Sequence, residues 1–198
     1  MPQPQTLLEM AGVPLRPHAW SQSALLLIDM QNEYVDGKLP LPGAQAALAE
    51  AAKLLAAARR AGRPVLHVRH VGRVGGLFDP ATRAFSHADQ VTPLAEEPVI
   101  DKALPNAFAK TDLHDRLAAL GVKSLIVGGF MTHLCISSTV RAALDFGYGC
   151  TVVADAAGTR DLPDGRGGTI AAGDLHRAEL AALADRFAIV VPNAAALG

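Results

Sequence analysis

The sequence predicts an α/β protein: a single domain of three layers, α/β/α, built on a doubly wound, six-stranded parallel sheet of the Rossmann-like kind. Three observations carry that prediction. Short apolar runs rich in β-branched residues read as strands covered on both faces. Helical patterns alternate with them in repeated βα units. The chain has 198 residues, enough for one core and short for two.

Residues 1–22 hold Pro2, Pro4, Pro14 and Pro17 and read as an irregular arm, with Trp20 as its anchor. Residues 23–198 form the domain. The run 24–28 (ALLLI) is the first strand, closed by Asp29 and followed by DMQNEY. Residues 43–61 form a helix whose stripe is Ala47, Leu48, Ala51, Leu54, Leu55 and Ala58. Gly62 stops it, and 64–69 (PVLHVR) is the second strand, ending at His70. Residues 71–97 are too long for a plain connection and are expected to wall or cover a site. A short strand, 98–101, places Lys102 at its end. Thr111 can cap a helix at 112–120, and Gly121 ends it. Strands at 150–154 and 188–191 flank a polar loop at 156–167 and a helix at 169–186.

The stretch 123–146 (KSLIVGGFMTHLCISSTVRAALDF) is the focus. It reads as a buried strand, a turn at Gly128 and Gly129, and a helix with Thr132 as N-cap. Cys135 then falls in the first helical turn, where free N–H groups and the helix dipole lower a thiol's pKa. A cysteine among apolar residues is otherwise a small buried hydrophobe, and that is the reading for Cys150.

Charge is nearly balanced, at −1, and aromatic residues make up 5%. Neither a nucleic-acid surface nor a base-stacking platform is expected. Two cysteines make no disulfide framework, so a reducing cytoplasm is the expected compartment. No signal peptide and no membrane-spanning run is read.

Parallel strands bring their C-terminal ends to one edge, where open α/β sheets bind ligands. Asp29, His70, Lys102, the turn before Cys135 and Asp155 all belong there. Lys102 would favour an ionised Asp29 and Cys135, Asp29 could move a proton, and the turn's N–H groups could hold an oxyanion.

LLLIDMQNEY, VIDKALPNAF, GGFMTHLCISSTVRAA and TVVADAAGTRD together resemble the isochorismatase-like cysteine hydrolase superfamily, over nearly the whole of 24–191. The resemblance implies an isochorismatase-type fold and a catalytic triad of Asp29, Lys102 and Cys135. It implies a cis peptide at Phe130–Met131, with the Met131 and Cys135 N–H groups as oxyanion hole. Gln31 matches a polar residue beside the acid and is read as a substrate-binding candidate. Tyr34, His70, Phe78, Asn106, Phe108 and Phe130 are read as substrate-binding candidates, though Phe108 also reads as core.

Isochorismatases proper lack the cysteine, so Cys135 points to amide hydrolysis through a thioester. Vinyl-ether hydrolysis and a non-catalytic binding protein are the alternatives. The Asp-x-His metal motif of nicotinamidases is missing, and His67 and His70 face opposite sides of one strand. No metal and no cofactor are expected. His114, His133 and His176 read as surface or packing residues, Asp155 and Asp161 as loop braces. The expected partners are a small-molecule substrate and other copies of the chain in a homo-oligomer; no nucleic acid and no membrane partner is expected.

Overall fold

The computed structural model describes residues 3–197. Met1, Pro2 and Gly198, the ends of the expected arm and domain, lie outside the described residues. A six-stranded sheet is built from β1 (Ser23–Ile28), β2 (Val65–His70), β3 (Val99–Lys102), β4 (Ser124–Phe130), β5 (Gly149–Gly158) and β8 (Ile189–Val191). Its order is β3-β2-β1-β4-β5-β8, and every pair is parallel. The chain winds outward from β1 to β3, then crosses back to lay β4 on the other side of β1. The winding order therefore reverses between β1 and β4, the place where such folds open a crevice beyond the strand ends.

The helices divide between the faces. α2 (Ala44–Arg60) covers one face, and its expected stripe from Ala47 to Ala58 is buried against Leu25, Leu27 and Ile126. α3 (Leu113–Ala119), α4 (Ser137–Asp145) and α5 (Ala172–Arg186) cover the other, against Ala24, Leu26, Leu125 and Val127. Alternate residues of β1 thus enter opposite cores, as the period of a strand requires. All six residues of β1 are buried, which explains an apolar run without alternation.

Four local expectations are corrected. The arm is not irregular throughout: α1 (Leu7–Met10) carries a capping box between Thr6 and Glu9, and its Leu7 N–H donates to Asp185 Oδ1 at 2.9 Å. Gly128 and Gly129 lie within β4 rather than in a turn. Gly129 has φ 138°, and a Cβ there would stand 2.1 Å from Ile28 O, so only glycine lets β4 run this close to β1. The strand at 150–154 extends to Gly158, and the polar loop after it contains a small hairpin of β6 (Leu162–Pro163) and β7 (Thr169–Ile170). Finally, residues Thr132–Ile136 form a π-helical turn ahead of α4.

Candidate active site

The end of β1 supplies the acid. Asp29 has φ 52°, a left-handed conformation that Asp accepts better than a branched residue would. Its N–H donates to Val68 O at 2.9 Å, which ties the turn to β2. The carboxylate is fully buried. Lys102, at the end of β3, reaches over β2 and donates to Asp29 Oδ2 at 2.6 Å. The same ammonium lies 3.3 Å from Cys135 Sγ. The Lys102 ammonium thus joins the residue after β1 to the turn after β4.

Cys135 does not sit in the first turn of an α-helix. The chain passes the cis peptide Phe130–Met131, then Leu134 and Ile136 N–H both donate to Met131 O, at 3.0 and 3.2 Å. The Met131 and Cys135 N–H groups take no part in those two bonds. Thr132 caps nothing; its hydroxyl pairs with His176 Nδ1 at 2.8 Å. His133 pairs with Thr159, so two side-chain contacts pin the turn to α5 and to the end of β5.

The thiol's environment also corrects the expectation. Burial pushes Cys135 up to about 12, with the Asp29 charge adding and the Lys102 charge opposing. At rest Cys135 is a neutral thiol. Burial likewise raises Asp29 above the usual carboxylate range, though Lys102 opposes this. A buried carboxylate with a raised pKa is a stronger base, and Asp29 Oδ1 has no hydrogen-bond partner among the described residues. The acid, the thiol and the ammonium thus share one buried spot, with Lys102 Nζ in contact with both partners.

His70 adjoins the triad, with Nδ1 3.4 Å from Lys102 Nζ. Burial and the Lys102 charge hold it down at about 4, so its ring is neutral at physiological pH. Phe78 packs edge-on against His70 and Tyr34, at 5.0 and 5.1 Å between ring centroids. Tyr34 lies close enough to Asp29 for its charge to help burial raise the phenol's pKa.

Other candidates are placed elsewhere. Gln31 is fully buried and its amide is spent: Nε2 donates to His70 O and Phe85 O, and Oε1 accepts the His70 N–H. It stitches β2 and the long loop to the end of β1, with both amide hydrogens committed to backbone carbonyls. Asn32 does likewise, donating to Arg83 O and His87 O. Asn106 Oδ1 accepts the Phe108 N–H at 2.9 Å, which fixes a turn. Phe108 belongs to the outer core, stacked on Phe146 at 4.8 Å. Phe130 is fully buried and backs Tyr34 from below. Asp155 is exposed on β5, whereas Asp161 Oδ1 accepts the first N–H of α5 at 2.7 Å and acts as a brace.

One residue escaped the sequence reading. Arg160, just beyond β5, has a buried Nε without a partner, and no carboxylate pairs with it among the described residues. Its charge reaches Tyr34 and His133. The signal was its place in the TVVADAAGTRD run, but nothing in a polar loop tells which way a side chain points.

Among the described residues no group of three His, Cys, Asp or Glu side chains is arranged to hold a metal ion. None of their helices is long and apolar enough to cross a membrane. A cavity of about 580 Å³ between the starts of α2 and α5 is not lined by any triad member. Cys135 is only 3% exposed.

The molecule is thus a six-stranded parallel α/β/α protein with an acid, a lysine and a cysteine in contact beyond its strand ends. The chain belongs to the isochorismatase family: the isochorismatase domain model matches residues 23–195. The crystal structure of an isochorismatase from Pseudomonas putida KT2440 superposes with a TM-score of 0.93 at 47% identity, covering 98% of this chain and 99% of that one. An uncharacterized isochorismatase family protein of Bacillus subtilis, YddQ, is 43% identical over 85% of this chain and 94% of its own length. Maleamate amidohydrolase of Pseudomonas putida is 32% identical over 69% of this chain and 72% of its own length. The protein is an isochorismatase-family hydrolase.

Proposed function

We propose that this hydrolase cleaves the C–N bond of a small carboxamide through a thioester on Cys135. The observation that carries the reading is Lys102 Nζ standing between Asp29 Oδ2 and Cys135 Sγ, at 2.6 and 3.3 Å. Asp29 takes the thiol proton, and the thiolate attacks the carbonyl carbon. The Met131 and Cys135 N–H groups donate to the developing oxyanion. Asp29 returns the proton to the departing nitrogen, and ammonia leaves as the C–N bond breaks. Asp29 then deprotonates a water that attacks the thioester. The acid product forms and the sulfur takes back its proton.

Vinyl-ether hydrolysis would leave Cys135 idle, whereas here the sulfur shares the ammonium with the acid. Amidohydrolase activity is also named for one relative. Arg160, with no carboxylate partner among the described residues, favours amides that carry a carboxylate, as maleamate does. The test is a panel of small amides, anionic and neutral, scored by ammonia release. Wild-type turnover that disappears in Cys135→Ala is expected; turnover retained in that variant contradicts the reading.

A further inference from the structure

Glu33 is 1% exposed and belongs to no ion pair among the described residues. Burying a carboxylate without a cation is costly, and its hydrogen bonds must account for its presence. Oε1 accepts the Lys38 N–H at 2.6 Å, and Oε2 accepts the Phe78 N–H at 2.9 Å. One carboxylate therefore joins the loop after β1 to the loop after β2, across 45 residues of sequence.

The surroundings are built for that clamp. A Cβ on Gly37 would stand 2.6 Å from Glu33 Cα, and one on Gly72 would stand 1.7 Å from Leu77 O. Phe78 itself has φ 54°, a conformation a bulky residue holds only when its neighbours fix it. Lys38 Nζ adds a bond to Gly75 O at 2.8 Å. Held this way, the Phe78 ring closes over His70 and Tyr34, and His70 touches Lys102.

We propose that Glu33 is a positioning residue that fixes Phe78 as the aromatic wall over the cleft. A carboxylate outside the triad would thereby set the size of molecule admitted to Cys135. The kinetic part rests on the amide-hydrolase reading; the access part does not.

The test compares wild type with Glu33→Gln, in which one bond is replaced by a donor facing a donor. Peptide-resolved hydrogen exchange should speed up by about tenfold or more at the Lys38 and Phe78 amides, while β1 and β4 keep their protection. Alkylation of the Cys135 peptide by a bulky maleimide should rise by about tenfold relative to alkylation by iodoacetamide. On an amide substrate, KM should rise more than kcat falls, and preference for the smaller of two amides should relax. Unchanged exchange and an unchanged alkylation ratio would overturn the proposal. Should Glu33→Gln lose protection throughout, Phe78→Ala decides: it should raise the same ratio with the clamp intact, and an unchanged ratio overturns the proposal. A wild type that hydrolyses no amide would sink the functional reading yet leave the exchange and alkylation arms decisive.

Discussion

Lys102 Nζ lies 2.6 Å from Asp29 Oδ2, and both side chains are fully buried. A pair this deep adds little net stability, because desolvation offsets much of the attraction. Breaking it is another matter, since either partner alone is a buried, uncompensated charge. Asp29→Asn and Lys102→Met should each lower unfolding stability by about 3–5 kcal/mol, and the double variant should lose less than the sum. Asp29→Asn should also slow turnover by about 10²–10⁴ through loss of the base. Guanidinium unfolding curves and amide turnover check both.

Acid should destabilise the fold through its histidines. His70 and His87 are each held down at about 4, from an ordinary 6.5, first by burial and then by nearby positive charge. Between those values the unfolded chain binds protons that the folded chain refuses, so stability falls as pH drops from about 6.5 to 4. His70→Asn and His87→Asn should each flatten that slope in urea midpoints measured against pH. Asp29 works the other way on stability, because its folded value is raised. Its effect on rate is also distinct: the acid limb of kcat/KM should lie above the ordinary carboxylate range. A limb within that range would contradict Asp29 as the base.

The sheet was legible because buried parallel strands leave an unmistakable record: short branched runs such as ALLLI and CTVVA, each ending in a polar residue. Asp29, Lys102 and Cys135 could be placed on one edge because topology alone puts strand ends together. What failed was local. Gly128 and Gly129 look like a turn, and only the approach of Ile28 O reveals a glycine serving a strand. Cys135 looked activated by a helix start, but burial and Asp29 outweigh that and keep it a thiol. Gln31 looked like a ligand because a polar residue beside a catalytic acid invites that reading. Its amide is consumed by backbone groups 39 and 54 residues away, which no local pattern encodes.

Gly129→Ala should be poorly tolerated. The added Cβ would meet Ile28 O at 2.1 Å, and φ is 138°. Overpacking of this kind costs about 1–3 kcal/mol or more. Because Gly129 also leads into the turn that carries Cys135, activity should fall further than stability. A thermal unfolding midpoint and a rate on the same preparation separate the two. Gly173→Ala is the control: nothing lies within 4 Å of its Cβ, and it should change little.

Arg160→Gln should discriminate between substrates by charge. The guanidinium pairs with no carboxylate among the described residues, so removing it should cost an anionic amide a charge-assisted bond, about 1.5–3 kcal/mol in kcat/KM. A neutral amide of the same shape should lose far less. Equal losses on both would remove Arg160 from substrate recognition.

In the proposed reaction the Cys135 sulfur bonds to the substrate's acyl carbon. Intact-protein mass spectrometry during rapid-quench turnover of an active amide measures this directly. A mass increase equal to the acyl group, mapped to the Cys135 peptide and decaying at the rate of product formation, is the predicted result. Full turnover with Cys135 unmodified at every time point, and undiminished in Cys135→Ala, would contradict it.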